Sequence, residues 1–295
     1  MYPRITDLLY DLFGWRSPIP LYSFGLMVAV GILLAAYTTA ANFRWMHRSG
    51  ILPAIAIRLR RKGQARSEHA VRPPSEVVGN LALIAAATGL VGAKLFHIWE
   101  YWDLFRARPW EMLFSPGGLT FYGGLITGAL GVVWALRRYR IPIKPAADAI
   151  APGLMLAYGV GRIGCHLAGD GDWGIPADLA AKPDWLPTWL WAETYPRAIV
   201  GPPEVPVYPT PLYEFFLCTL FFGLLWVLRR HPYRFGWLFS LYLVLNGLER
   251  FLIEQIRVNP RFSFFGWQVT QAELIALLLM LGGLVGLWRT WRRRP

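Results

Sequence analysis

Four polar residues interrupt an apolar stretch in the last third of the chain: Asn246, Arg250, Glu254 and Arg257. Spacings of four, four and three place them on one face of a single helix. A polar stripe on an otherwise apolar helix implies a polar cavity beside it. A second arginine, Arg162, lies within Gly159-Val-Gly-Arg-Ile-Gly-Cys-His-Leu-Ala-Gly-Asp-Gly-Asp-Trp-Gly174. Its planar guanidinium suits a phosphate, which it can hold by two parallel hydrogen bonds. Glu214 opens another apolar run in Tyr208-Pro-Thr-Pro-Leu-Tyr-Glu214 and is a partner for Arg250 or Arg257. Tyr122 and Thr120 sit in the glycine-lined Gly117-Gly-Leu-Thr-Phe-Tyr-Gly-Gly124. Arginines and acids on facing helices point to a site for the anionic headgroup of a phospholipid.

Each residue also has a plainer role. A buried ion network can serve only to fix helix packing, Tyr122 can be an interfacial anchor, and Cys165 a small core residue. Lys94 and Glu100 read as snorkelling groups, His97 and His166 as packed or interfacial histidines. It is the arginines and acids taken together that favour the headgroup site.

The elements that must position these groups are membrane spans. Of 295 residues, 55% are hydrophobic and 16% charged, with a mean hydropathy of +0.35. A soluble protein of this length carries about one quarter charged residues. The apolar residues gather into segments of bilayer-spanning length, and seven spans are expected, near 21–42, 77–99, 119–136, 148–167, 210–228, 235–256 and 267–288. The fold class is therefore an all-α polytopic membrane protein, read as a single membrane domain over 1–295. The net charge of +12 is not spread evenly. Four blocks, Arg44–Arg72, Arg137–Lys144, Arg229–Arg234 and Arg289–Arg294, hold 19 of the 30 basic residues. They alternate with base-poor loops, as the positive-inside pattern requires, which puts the N-terminus outside and the C-terminus inside. That distribution argues against nucleic acid as a partner. Arg58–Arg66 is expected in a cytoplasmic loop, where it reads first as a topology determinant and second as a segment near anionic lipid headgroups.

The longest outer loop, 168–207, carries six acids and two bases and is rich in Trp and Pro. It is expected to form a small irregular periplasmic head. At the N-terminus, Ile5, Leu8, Leu9, Leu12 and Phe13 recur at helical spacing, so 1–19 reads as an amphipathic segment on the membrane surface. The two cysteines, Cys165 and Cys218, lie inside apolar segments and suggest neither a metal site nor a disulfide framework.

At these residues the sequence resembles the prolipoprotein diacylglyceryl transferase family. The resemblance runs from Tyr22-Ser-Phe-Gly-Leu-Met27 to the seventh span. Its carriers are Gly117–Gly124, Asp148-Ala-Ile-Ala-Pro152, Gly161-Arg-Ile-Gly-Cys165, Tyr208–Glu214 and Arg250-Phe-Leu-Ile-Glu-Gln-Ile-Arg257. It implies a seven-helix enzyme of the bacterial inner membrane that takes phosphatidylglycerol and a preprolipoprotein, presented by its signal peptide. The enzyme attaches diacylglycerol to the lipobox cysteine as a thioether and releases glycerol phosphate. No metal or organic cofactor is implied, and membrane lipids are the remaining partners. By position, Arg162 and Arg250 would hold the lipid phosphate, and Glu254 and Arg257 would support them. Glu214 and Asp148 would orient neighbouring groups. Tyr122 would help deprotonate the thiol, while Asn246, Cys165, Gly161 and Gly164 would line the site.

The chain departs from the family pattern at Cys165, where asparagine is usual, and in a following segment one residue longer. Phe24 and Asn246 stand where tyrosines are common, and Tyr208 where histidine is frequent. These departures keep the arginines and fall on the thiol-activating side. They motivate a second reading, a paralogue that binds phospholipid or lipoprotein without transfer, separable by assay for a thioether product. A transporter is a third reading, against which stands the lack of an internal repeat.

Overall fold

The computed structural model describes residues 2–15, 18, 21–59, 68–115, 117–264 and 266–292. Most of the basic stretch 58–66 and the last arginines of the C-terminal block lie outside the described residues.

The chain is mainly helical. It begins with α1 (Ile5–Phe13), which Gly14 terminates in the left-handed conformation, and α2 (Ser23–Arg48). The strands β1 (Ile55–Leu59) and β2 (Glu68–Arg72) follow, then α3 (Val78–Glu100) and the short α4 (Trp102–Ala107) and α5 (Pro109–Phe114). Next come α6 (Phe121–Arg138), α7 (Ile143–Ala168), the single turn α8 (Thr188–Trp191), α9 (Thr210–Leu228) and α10 (Trp237–Glu254). The strands β3 (Arg261–Phe264) and β4 (Trp267–Thr270) lead into α11 (Gln271–Thr290). Each of the seven segments expected from hydropathy coincides with a long helix.

Among the described residues, four helices are long and apolar enough to cross a membrane: Ser23–Arg48, Pro74–Glu100, Thr210–Leu228 and Gln271–Thr290. Their large apolar side chains are widely exposed, including Leu83, Trp99, Leu220, Val227, Leu278 and Trp288, each two-thirds or more accessible. A water-facing surface of that kind would drive aggregation, whereas lipid tails solvate it. The protein is a polytopic membrane protein.

Two antiparallel hairpins, β1–β2 and β3–β4, qualify the all-helical expectation. The first lies between expected spans, where no continuous apolar run announces it; the second corrects the expected span 267–288, whose first four residues form β4 and which is helical only from Gln271. Their absence from a hydropathy reading follows directly.

The fold divides into two compact units, Met1–Thr38 with Ala147–Pro295, and Thr39–Ala146. In the second unit, α3 and α6 pack through small residues. A Cβ on Gly89 would stand 3.3 Å from the Gly124 carbonyl, and one on Gly128 3.3 Å from that of Ala85. Backbones this close replace the hydrophobic driving force that lipid cannot supply. In the first unit, Met155, Cys218, Leu225, Trp237, Leu238 and Leu245 form a buried core joining α7, α9 and α10. Cys218 is fully buried there. A capping box opens α11, with the Thr270 hydroxyl accepting from the Glu273 amide at 3.1 Å and Glu273 accepting from the Thr270 amide at 2.9 Å.

Candidate functional site

The first unit brings Arg162, Glu214, Arg250, Glu254 and Arg257 together around one further residue, Asp172. Arg162 projects from the last turns of α7 and is 8% exposed. Its guanidinium contacts Glu214 and Asp172, and its Nη1 lies 3.3 Å from the Cys165 sulfur. Its Nη2 is buried with no hydrogen-bond partner among the described residues. Glu214, fully buried at the start of α9, is the hub. Besides Arg162 it accepts from Arg257 Nη1 at 3.2 Å and faces Arg250 Nη1 at 3.8 Å, while the Tyr158 hydroxyl donates to it at 3.4 Å. Arg250 pairs with Glu254 one turn further along α10 at 2.9 Å, and Asn259 Nδ2 donates to Glu254 at 2.7 Å. A quarter of the Arg250 side chain is exposed, so it is the open edge of the cluster.

The expected polar helix face needs one correction. The α10 helix ends at Glu254, and Arg257 lies beyond it in extended chain that bridges to Gly174. The Ile175 amide donates to the Ile256 carbonyl at 2.8 Å, and the Gly174 amide to the Tyr208 carbonyl at 2.8 Å. Pairing with the segment after α7, in place of helical periodicity, sets Arg257 against Asp172 and Glu214. Glycine is required at 174, because a Cβ there would stand 2.7 Å from the Ile256 carbonyl.

Asp172 occupies the irregular segment after α7 and contacts Arg162 through one carboxylate oxygen and Arg257 through the other. Burial alone would raise its pKa, but the guanidiniums of Arg162 and Arg257 outweigh it and hold the carboxyl below its ordinary value. Burial and the charge of Asp172 raise neighbouring Asp170 above the ordinary range. Cys165, Asp170 and Asp172 are close enough to act as metal ligands. The Arg162 guanidinium already contacts two of the three, so the field there opposes a cation.

The remaining expected residues have varied surroundings. Gly161 borders open space beside Arg162. Gly164 is a packing contact, since a Cβ there would lie 3.1 Å from Met27 Cβ and Phe24 Cα on α2. Asn246 is half-buried on α10, one turn before Arg250. Asp148 is not brought to the cluster. It lies fourteen residues before Arg162, about 21 Å along the helix at 1.5 Å per residue. There its carboxylate accepts from the Gly236 and Phe239 amides at 2.8 and 2.9 Å, capping α10, with His231 Nε2 at 3.4 Å.

Tyr122 belongs to the second unit, in the first turn of α6, and is 37% exposed. Its motif is held from α3. Lys94 donates to Ser115 and Gly117 carbonyls at 3.0 and 2.9 Å, and the Thr120 hydroxyl donates to Glu100 at 3.1 Å. Lys94 and Glu100 thus serve to fix the approach to α6. His166 pairs with the Tyr195 hydroxyl at 3.2 Å.

Three members of the cluster escape a reading of the sequence. Tyr158 is signalled by its position four residues before Arg162. Glu249, fully buried beside Arg250, is hidden because adjacent helix positions point about 100° apart. Asp172 resembles any loop acid until the chain is folded. Beside the cluster, Leu186, Trp191, Tyr208, Tyr213 and Ile256 line a cavity of about 320 Å³. Its aromatic rings are anchored by their polar ends: Tyr213 donates to the Leu190 carbonyl at 2.7 Å and Trp191 to that of Asp178 at 2.8 Å.

Fold and site define a class: an integral membrane protein that gathers three guanidiniums, largely shielded from water, around an anion. Residues 12–289 match the family described as prolipoprotein diacylglyceryl transferase, and the chain belongs to that family. It is 29% identical over 285 residues to phosphatidylglycerol–prolipoprotein diacylglyceryl transferase 2 of Streptomyces coelicolor, covering 95% of this chain and 78% of that one. A transferase of the same name from Symbiobacterium thermophilum is 33% identical over 251 residues, covering 83% and 87%. That of Leptospira interrogans serovar copenhageni is 28% identical over 263 residues, covering 72% and 80%.

Proposed function

We propose that the protein transfers the diacylglyceryl group of phosphatidylglycerol to the cysteine thiol of a prolipoprotein. The observation that carries this reading is the Arg162–Arg250–Arg257 cluster, in which Arg162 retains a buried donor with no partner among the described residues and Arg250 an exposed edge. In the reaction, the thiolate forms a C–S bond at a glyceryl carbon as the C–O bond to the phosphate breaks, and glycerol phosphate leaves. The guanidiniums hold the phosphate and stabilise the charge that grows on the leaving oxygen, the largest catalytic contribution in many enzymes. The same field favours the thiolate of the incoming cysteine, whose unperturbed pKa is near 8.5. Glu214 and Glu254 are positioning residues that fix the guanidiniums. The anchored aromatic cavity is assigned to an apolar side chain of the peptide.

The seven long helices then cross the inner membrane of a bacterium, with the N-terminus and the segment 168–207 outside and the C-terminus inside. Labelling of single cysteines placed in 168–207 and in 229–234 by an impermeant maleimide tests this: only the first set should react in intact spheroplasts. The transfer reading is tested with purified protein, phosphatidylglycerol in micelles and a lipobox peptide. Thioether product with the wild type, lost in Arg162→Ala and Arg250→Ala, supports it; no product with any phospholipid favours a non-catalytic binding protein.

A further inference from the structure

Asp172 is placed as a phosphate would be. One carboxylate oxygen meets Arg162 and the other Arg257, so that a single small anion is bracketed by two guanidiniums. The other carboxylates paired with the arginines, Glu214 and Glu254, are carried on helices and have almost no accessible surface. Asp172 differs on both counts. A third of its side chain is exposed, and it follows Gly171, whose φ of +92° belongs to irregular chain. It is tethered by the Thr210 hydroxyl, which donates to its backbone carbonyl at 2.7 Å.

We propose that Asp172 is an internal counter-anion that fills the phosphate position of the substrate-free enzyme and is exchanged for the lipid phosphate when phosphatidylglycerol binds. The inference rests on the phosphate-binding reading above and adds to it an identity for what the lipid must displace. Its physical logic is charge conservation. Arg162 and Arg257 are the two most buried guanidiniums, and taking away the carboxylate they share would leave both contending for Glu214. Exchanging one anion for another keeps the cluster balanced before and after substrate arrives. Glu214 and Glu254 are enclosed on helices by their neighbours, whereas Asp172 is a third exposed on irregular chain and has room to turn away. The charged and titratable groups facing it are Arg162, Arg257, Asp170 and Cys165. Because the two arginines hold its pKa low, Asp172 competes as an anion at neutral pH.

Steady-state transfer kinetics with phosphatidylglycerol in micelles test the proposal. In Asp172→Asn the internal competitor is gone, and KM for the lipid should fall about tenfold, the effect of losing one charge-assisted contact's competition. Product inhibition by glycerol phosphate should tighten in parallel, while kcat does not rise. Asp172→Glu, which restores an anion, should return KM to within about twofold of the wild type. A residue of purely structural value would lower the yield of folded protein and leave KM alone. An unchanged or raised KM in Asp172→Asn overturns the proposal, as does a loss confined to kcat. Should Asp172→Asn not be recovered folded, Thr210→Val decides. It keeps the carboxylate but cuts its tether, and should lower KM about threefold; an unchanged KM refutes the exchange. Failure of the underlying reading is separable. In that event the wild type shows no transfer and Arg162→Ala binds phosphatidylglycerol as well as the wild type, and both claims fall. Transfer by the wild type with an unaltered KM in the variants removes the exchange alone.

Discussion

The two ends of α7 each bury a charge, and they handle it in opposite ways. At the start, Asp148 is met by two backbone amides, one on each carboxylate oxygen, and by His231. Toward the end, Arg162 is met by Glu214 and Asp172, which are themselves contested by Arg257 and Arg250, and one of its nitrogens is left over. A charge satisfied by backbone is scaffold, because nothing can replace those partners. A charge shared among competing side chains with a spare donor can exchange partners, and exchange is what binding requires.

The contrast is sharpened by substitutions at both ends. Arg162→Ala and Arg250→Ala should lower transfer activity about 100- to 1,000-fold, the range for removing a donor aimed at developing charge. Arg250→Ala also strands the buried Glu254 and should lower the melting temperature, so activity is read per folded molecule; activity retained per folded molecule would reverse the contrast. Asp148→Ala should do the opposite. Leaving two amides and His231 without their acceptor should cost about 3 kcal/mol, read as a lowered unfolding midpoint. The kcat of the folded fraction should stay within about twofold of the wild type. A drop of several tenfold would place Asp148 in the chemistry.

The smallest expected effect concerns Asp170. Burial and the charge of Asp172 raise its folded-state pKa, so its ionisation opposes folding. That penalty is absent below the ordinary carboxylate pKa and grows as pH rises through the raised value. Asp170→Asn should therefore raise the melting temperature by about 2–4 °C at neutral pH. The gain should vanish on acidification below the ordinary carboxylate pKa. A gain that persists in acid would mean that packing, and not charge, is responsible.

Much of this was readable from residue order. Hydropathy locates the seven long helices, four of them long and apolar enough to cross a membrane, because a span is a continuous run whose length the bilayer dictates. The hairpins at 55–72 and 261–270 escape, since short strands leave no such run, and β4 falls within the segment read as the start of the seventh span. In the site, Arg162, Glu214, Arg250 and Glu254 are legible because a charge inside an apolar segment is conspicuous. Asp172 is not: outside the spans an acid is unremarkable, and its pairing depends on how the chain turns back after α7. The placement of Arg257 was foreseen but for the wrong local reason, because helical spacing cannot register that α10 ends three residues earlier. Asp148 shows the converse. Its family motif is evident, yet only the fold shows that it caps α10 fourteen residues from the arginine.

The bridge between Gly174 and Arg257 also makes the segment 175–207 part of the tooling of the site. The third guanidinium is seated by backbone pairing with the segment that leads into 175–207, much as a jig holds a workpiece from outside the machine. Exchange of that segment between relatives would reset the arginine along with the surface, so loop length and lipid affinity should vary together across such chimeras. A single protease cut within 175–207 would reach the arginine cluster without touching any of its residues.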